Sequence, residues 1–354
     1  MTVHIVTGEY GAGSGGVGDY TQVLESALMD RGVDVRVWYS QDPELRTSLP
    51  AALARQPGFV LLQYVPNALG ARGANLRFCF WLRRLHRRGV DVRVMFHEPY
   101  FYFSWHPARN ALALVQRAMA AVLLRASSRN YVPTEQWLKY LAPYAPPEAV
   151  FSVVPVPATV PAPAAPQSVA EWRKKLGGGT HLLVGHFGTF GAHVANELAP
   201  IVPALLRQFE GVRLVCIGRG SDTFVSRLHA SHPLDRTRIV ATGELPAADT
   251  SAAIAACDVA VQPYPDGVTT RRTSVMAPLA LGVATVSSRG FLTEPIWIEA
   301  APVVLAPASD ADAHADAAAA LVRDAARRAE LASRGRAVYE AQFSMGRTVD
   351  ALLH

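Results

Sequence analysis

The sequence has no run of apolar residues long enough to cross a bilayer, so no membrane-spanning helix is expected. Its opening, MTVHIVTGEYG, has neither a basic leader nor a long apolar core; this excludes a signal peptide and makes a cytoplasmic location the default. Cysteine is scarce. Cys79, Cys216 and Cys257 are odd in number, scattered and set in apolar segments, and they read as buried free thiols of a reducing compartment. C-x-x-C and H-E-x-x-H are both missing, so no structural metal is expected. Charge is low too, at 18% of residues, with 34 basic against 29 acidic side chains for a net +5. That balance suits a chain that handles phosphates or touches an anionic surface, and it is too weak, without a recognition motif, for nucleic acid.

Apolar residues make up half of the 354, which excludes disorder and allows two domains with separate cores. The first half alternates strand and helix patterns. Apolar runs at Val3 to Thr7, Val33 to Tyr39, Phe59 to Tyr64 and Val90 to Phe96 read as strands, and Asp19 to Arg31 and Arg77 to Arg88 as helices. This is the pattern of βαβ units on a parallel sheet. Five prolines between Pro155 and Pro166 mark an extended connector. The pattern then restarts, with strands expected at His181 to Phe187, Arg213 to Ile217, Arg238 to Thr242, Val259 to Gln262 and Val283 to Ser287, and an Ala-rich helical segment from Asp310 to Tyr339. The expected organisation is a first domain over 1–160, a connector over 155–168 and a second domain over 169–338.

The first strand runs into Gly11-Ala-Gly-Ser-Gly-Gly-Val-Gly18, in which glycines 11, 13 and 16 satisfy G-x-G-x-x-G. A dinucleotide site also wants an acidic residue at the end of the second strand. That strand ends at Tyr39-Ser40 with Asp42 beyond it, so the spacing argues against a nicotinamide cofactor. Two readings remain, a phosphate cradle of bare N–H groups at a helix start and a tight turn with no ligand.

Gly15-Gly16-Val17-Gly18-Asp19-Tyr20-Thr21 resembles the loop after the first strand in glycosyltransferase family 4, a family of the GT-B fold. Phe96-His97-Glu98 is similar to the strand end that carries that family's active-site histidine, and Val153-Val-Pro-Val-Pro157 to its interdomain connector. Cys216-Ile-Gly-Arg-Gly220, Ala255 to Pro263, Leu281 to Val286 and Phe291-Leu-Thr-Glu294 resemble its second-domain motifs in their usual order. The resemblance implies two Rossmann-like, doubly wound domains facing across a cleft. The first would be the acceptor side, with a C-terminal helix over about 339–354 packed back on it, and the second would bind a nucleotide sugar. It further implies transfer of a sugar to an acceptor hydroxyl with retention, without a metal or other cofactor, in cell-envelope glycan or natural-product glycoside synthesis.

The sequence also departs from the family. Its paired glutamates, which hold the donor sugar and the ribose, fall on Thr269 and Ala277, and its basic pair after the second domain's first strand is replaced by Gly185 to Gly191, where only His186 is a candidate base. A substitute clamp is expected in Asp266-Gly-Val-Thr-Thr-Arg-Arg-Thr-Ser274. There Arg271 and Arg272 offer forked donors to a diphosphate, Thr273 and Ser274 cap the following helix or bind phosphate, and Asp266 takes a sugar hydroxyl. The expected donor site adds Gly15, Gly16, Gly188, Thr189, Arg219, Gly243 and Glu294. On the acceptor side Asp19, Tyr20, Glu98, Tyr100 and Tyr102 are expected, with the rings from Tyr100 to Trp105 as a platform and His97 as a base, against the plain alternatives of a packed aromatic lid and a structural histidine. Arg77 to Arg88 sets five arginines opposite Phe78, Trp81, Leu82 and Leu85, with Phe80 on the basic side, a pattern for a solvated outer helix or for peripheral contact with anionic lipid. Two other readings stay open, a sugar-nucleotide epimerase and a non-catalytic sugar-nucleotide-binding partner.

Overall fold

A computed structural model describes residues 1–8, 16–161, 165–177 and 179–354. The chain forms two compact units, Met1–Val156 with Met345–His354, and Pro157–Ser344.

The first unit holds β1 (Thr2–Thr7), β2 (Asp34–Tyr39), β3 (Gly58–Tyr64), β4 (Asp91–Phe96), β5 (Arg129–Val132) and β6 (Phe151–Val153). They pair in parallel in the order β2-β1-β3-β4-β5-β6. Every residue of β1 is buried, because helices cover both faces of the sheet, and such a strand reads as an unbroken apolar run. β2 lies at the edge and alternates exposed Asp34 and Arg36 with partly buried Val35 and Val37. Charge on an edge strand discourages pairing with another chain. One face packs Val60, Leu62, Val92 and Val94 against Phe78, Leu82, Met119 and Leu123 of the helices Leu76–His86 and Pro107–Leu124. The other packs Val3, Ile5, Leu61 and Met95 against Leu24 and Leu28 of the helix Gly16–Asp30 and against Val349 and Leu352 of the helix Met345–Leu353.

The turn after β3 carries strain. Gly70, Ala71, Arg72 and Gly73 all have positive φ, at 83°, 49°, 52° and 83°. Glycine tolerates this, but each of the two side-chain-bearing residues costs about 1–2 kcal/mol in the left-handed region.

The second unit holds β7 (Leu182–Phe187), β8 (Val212–Ile217), β9 (Ile239–Ala241), β10 (Val259–Gln262), β11 (Ala284–Arg289) and β12 (Val304–Pro307). They too are parallel, in the order β12-β11-β10-β7-β8-β9. Both units are therefore doubly wound α/β layers, as the strand and helix patterns imply.

Three boundaries differ from the sequence expectation. The connector stops at Ala165, because Pro166 occupies the first turn of the helix Pro166–Lys175, where its missing N–H costs nothing. Residues 339–343 remain in the second unit as a single π-helical turn, with Tyr339 and Phe343 packed on Trp297 and Met276, so only the helix Met345–Leu353 joins the first unit. The Ala-rich segment is two helices, Ala311–Arg323 and Ala325–Val338. Asp324 breaks it by leaving helical geometry, and its carboxylate accepts from Arg327 N.

Candidate functional site

In an open parallel sheet ligands gather beyond the strand C-termini, at the point where the strand order reverses. That point is β1/β3 in the first unit and β7/β10 in the second.

In the second unit the β7/β10 pairing is printed into the side chains. Backbone register is carried by Val259↔Val184 and Ala260↔Gly185. Beyond it the Gln262 amide, oriented toward β7, accepts from Phe187 N at 3.0 Å and donates to Phe187 O at 3.2 Å. His186 Nδ1–H donates to Val261 O at 2.8 Å, which leaves Nε2 buried without a partner beside Gly188. Burial pushes the His186 pKa down to about 4, so the ring is neutral and is no phosphate cation. Past it, Thr189 is exposed and Phe190 has φ 53°. Gly218 and Gly220 admit this loop: a Cβ on Gly218 would stand 2.3 Å from Gly188 O, and one on Gly220 2.9 Å from Thr189 O. Gly243 N donates to Ser221 Oγ at 3.0 Å and Gly243 O accepts from Gly218 N at 3.2 Å, while Arg219 is exposed.

The loop after β10 is where the structure most changes the sequence expectation. Asp266 does not stand open to a sugar hydroxyl. Its carboxylate accepts from Arg272 Nη2 at 2.7 and 2.9 Å and from Arg271 Nη2 at 3.5 Å. The Arg271 and Arg272 side chains are 25% and 23% exposed. Arg272 also lies 4.7 Å from the centre of the Tyr264 ring. Thr273 is not the cap of the helix Thr273–Ala280. Arg272 holds that position and caps nothing with its side chain, and the Ser274 hydroxyl is bonded to the Tyr264 hydroxyl at 2.7 Å.

Glu294 is likewise no open donor ligand. It is buried, with Oε2 accepting from Thr270 N at 2.6 Å and Trp297 Nε1 at 3.2 Å, and Oε1 accepting from the Thr270 hydroxyl at 2.7 Å. It clamps the loop that carries the arginines. Gly267 and Gly290 complete the clamp: Gly267 has φ 93°, and a Cβ on Gly290 would stand 2.6 Å from Gly267 N. Sequence reasoning missed Tyr264, Thr270 and Trp297, whose roles depend on which loop each faces. The Thr269 hydroxyl, at one of the missing glutamate positions, is buried without a partner.

In the first unit His97 ends the run of β4, and Nε2 contacts Gln63 Oε1, from the neighbouring β3, at 2.6 Å. With the amide oxygen as acceptor, Nε2 carries the proton and Nδ1 is the basic atom. Burial pushes the His97 pKa down to about 3. The ring is therefore neutral at physiological pH, with its proton on Nε2. The His97 backbone oxygen accepts from Trp137 Nε1 at 2.8 Å. The Tyr20 ring meets the imidazole edge-on at 4.9 Å. Tyr20 itself is buried in the core, where burial pushes its phenol pKa up, and it presents no hydroxyl to an acceptor.

The other acceptor-side residues divide. The Tyr100 hydroxyl donates to Tyr140 O at 2.8 Å and its ring lies under the Arg117 guanidinium at 4.1 Å, so it belongs to a packed lid. Tyr102 and Glu98 are exposed, Asp19 partly so, and Trp105 is fully exposed. Gly16 begins its helix with open space around its Cα; Gly15 lies outside the described residues. Among the described residues no cluster of three His, Cys, Asp or Glu has metal-binding geometry.

Residues 181–324 match the family model described as "Glycosyl transferases group 1", a stretch that includes the whole β7/β10 switch point and both loops beyond it. No curated protein matches the chain. Among solved structures, HepE of Anabaena in complex with UDP and glucose superposes with a TM-score of 0.69 at 14% identity, covering 100% of this chain and 98% of its own. Sucrose-phosphate synthase from Thermosynechococcus elongatus gives 0.68 at 16%, covering 99% and 97%. WaaG, a glycosyltransferase of lipopolysaccharide biosynthesis, gives 0.63 at 15%, covering 99% of each chain.

Proposed function

We propose that this chain, a glycosyltransferase of the GT-B fold, moves a sugar from a nucleoside-diphosphate donor to an acceptor hydroxyl with retention and without a metal. The observation that carries the reading is the loop after β10. It lies inside the family match, at the topological switch point, and it delivers two guanidinium groups to the start of the helix Thr273–Ala280. Asp266 preorganises those groups, and the helix end adds unpaired N–H donors and a positive dipole. Cations and dipole together stabilise the charge that builds on a departing diphosphate, so no protein nucleophile and no added cation is required. HepE holds UDP, which makes UDP the first probe for this chain. Arg272→Ala should weaken nucleotide diphosphate binding by roughly 1.5–3 kcal/mol, about tenfold to a hundredfold, as for a lost charged hydrogen bond. Thermal-shift titration of UDP, GDP, ADP and dTDP measures it, and unchanged affinity in both Arg271→Ala and Arg272→Ala would remove the clamp. In slow turnover with water a transferase releases free nucleotide diphosphate, an epimerase yields an altered sugar nucleotide and a binding partner yields neither.

The reading extends to an acceptor carried on an anionic membrane. The helix Leu76–His86 buries Phe78, Leu82 and Leu85 and exposes Phe80, Arg77 and Arg84, with Arg87 and Arg88 exposed beyond its end. An arginine near an anionic bilayer contributes on the order of 1 kcal/mol, so the helix supports weak, reversible attachment. Co-sedimentation should occur with anionic vesicles at low salt and be lost in neutral vesicles, at high salt, and in Arg77→Glu/Arg84→Glu/Arg87→Glu. No sedimentation at low salt shifts the acceptor to a soluble molecule.

A further inference from the structure

We propose that His314 is a positioning residue for the arginine loop after β10, and that it acts through the Ser288 hydroxyl on the backbone of Tyr264. The effect on nucleotide binding rests on the reading of Arg271 and Arg272 as the diphosphate clamp; the effect on the loop is tested without it. His314 lies in the helix Ala311–Arg323, whose other buried residues are alanine, leucine and valine. It is 1% exposed, and Ser288 on β11 is wholly buried. Burial lowers the His314 pKa, so the ring is neutral at physiological pH.

A neutral imidazole has one N–H and one lone pair, and the surroundings decide which nitrogen carries which. Nδ1 stands 2.7 Å from Asp310 O, and a carbonyl only accepts, so the proton is on Nδ1. Nε2 is then bare. It lies 3.0 Å from Ser288 Oγ, so the Ser288 hydroxyl donates to it. That leaves the oxygen's lone pairs for Tyr264 N, which donates to Ser288 Oγ at 2.8 Å. The direction of each bond follows from the one before it, back to Asp310 O. The far end is anchored as well. Asp310 Oδ1 accepts from Ala313 N at 2.9 Å, and Glu197 of the helix Ala192–Gln208 accepts from Ser309 N and the Ser309 hydroxyl at 3.0 Å each. Ser309 has φ 61°, left-handed backbone that a residue with a side chain keeps only where its surroundings hold it.

The relay ends on the stem of the loop. Ser288 holds both sides of that stem, Tyr264 N through its hydroxyl and Val268 N through its backbone oxygen at 2.9 Å. Between the two lies Asp266, whose carboxylate orients both guanidinium groups. The Tyr264 ring is the surface under Arg272, and the Tyr264 hydroxyl reaches Ser274 in the first turn of the following helix. A shift of Tyr264 at its N–H therefore moves the support of Arg272 directly. Stability alone does not call for the pair, because replacing two buried partners by apolar groups of the same shape is close to neutral. What a fully bonded buried pair adds is one defined arrangement, and here the arrangement belongs to the loop that carries the arginines.

The test uses the whole protein as wild type, His314→Leu, His314→Gln, Ser288→Ala, His314→Leu/Ser288→Ala and Arg272→Ala. Two quantities are read well below the melting point. One is amide hydrogen exchange over residues 264–268 against that over β8, and the other is the UDP dissociation constant by calorimetry. His314→Leu and Ser288→Ala should each speed exchange over 264–268 and raise the UDP constant by about fivefold, the size of one lost hydrogen bond, with β8 unchanged. Glutamine returns an acceptor to the Ser288 hydroxyl without the ring, so His314→Gln should keep wild-type values of both. The double variant should bind UDP no more weakly than Ser288→Ala, since His314 acts through that hydroxyl. The proposal is overturned if exchange rises equally over β8, if leucine and glutamine behave alike, or if the single effects add in the double variant. Arg272→Ala separates the two readings. If it binds UDP as wild type does, the clamp fails and exchange alone decides the role of His314. If it weakens UDP binding while His314→Leu does not, the clamp stands and the positioning role fails.

Discussion

Glu294→Ala melts the protein roughly 6–12 °C below wild type and abolishes nucleotide-induced stabilisation. The carboxylate accepts three hydrogen bonds in a buried site, from Thr270 N, the Thr270 hydroxyl and Trp297 Nε1. Alanine removes this acceptor from a buried site, where a hydrogen bond to a charged group is worth about 1.5–3 kcal/mol, so a total of about 3 kcal/mol is expected. For a unit of this size a kcal/mol is worth about 2–4 °C. The nucleotide effect follows because Thr270 precedes Arg271 and Arg272 directly. With the clamp gone, the guanidinium groups lose their fixed position at the helix start. Glu294→Gln keeps one amide oxygen as acceptor and should fall between wild type and alanine. A melting shift below 2 °C for the alanine variant would show that the loop is held by its glycine contacts alone.

The second large effect is with pH. His97 and His186 are held neutral by burial, with pKa values near 3 and 4 against an ordinary value of 6.5. The unfolded chain takes up protons on both rings below about pH 6.5, and the folded chain does not until it is far more acidic. The unfolded state then binds more protons, so stability is fully present above the ordinary histidine pKa and falls as pH drops through the window from about 6.5 to 4. Each ring contributes a slope of about 1.4 kcal/mol per pH unit, so the pair gives roughly 2.7 kcal/mol per unit before opposing groups are counted. His4 and His314 are shifted down by burial as well and add to the same trend. Urea midpoints at pH 7, 6 and 5 measure it. His97→Gln should flatten the dependence by about one histidine's share, and a midpoint that does not move between pH 7 and 5 would contradict the buried neutral rings.

β1 and β3 are six- and seven-residue strands buried along almost their whole length, and they are legible in the sequence, as are the helices Gly16–Asp30 and Leu76–His86 and the short, apolar β9 and β10. β5, β6 and β12 are three or four residues long and are not legible there; they emerge only through pairing with a neighbour. The site divides in the same way. Motif order and the arginine pair stand in consecutive positions and are visible as text. What the arginines do with Asp266, and Glu294 with Thr270, is set by two loops 24 residues apart meeting through Gly267 and Gly290. Gln63 as the partner of His97 needed the β3–β4 register, and Asp324 as a helix breaker needed its side chain seen bonding to Arg327 N.

The return of the helix Met345–Leu353 to the first unit sets an order for folding during synthesis. Pro157–Ser344 is one uninterrupted stretch and can complete its core as soon as it has left the ribosome. The first unit emerges earlier but remains unfinished, because Val349 and Leu352 fill the core face formed by Val3, Ile5 and Leu24. Until those residues appear, that face exposes a parallel sheet's apolar surface to its surroundings. The half made first is therefore the half completed last, and it is the one that a chaperone would have reason to hold.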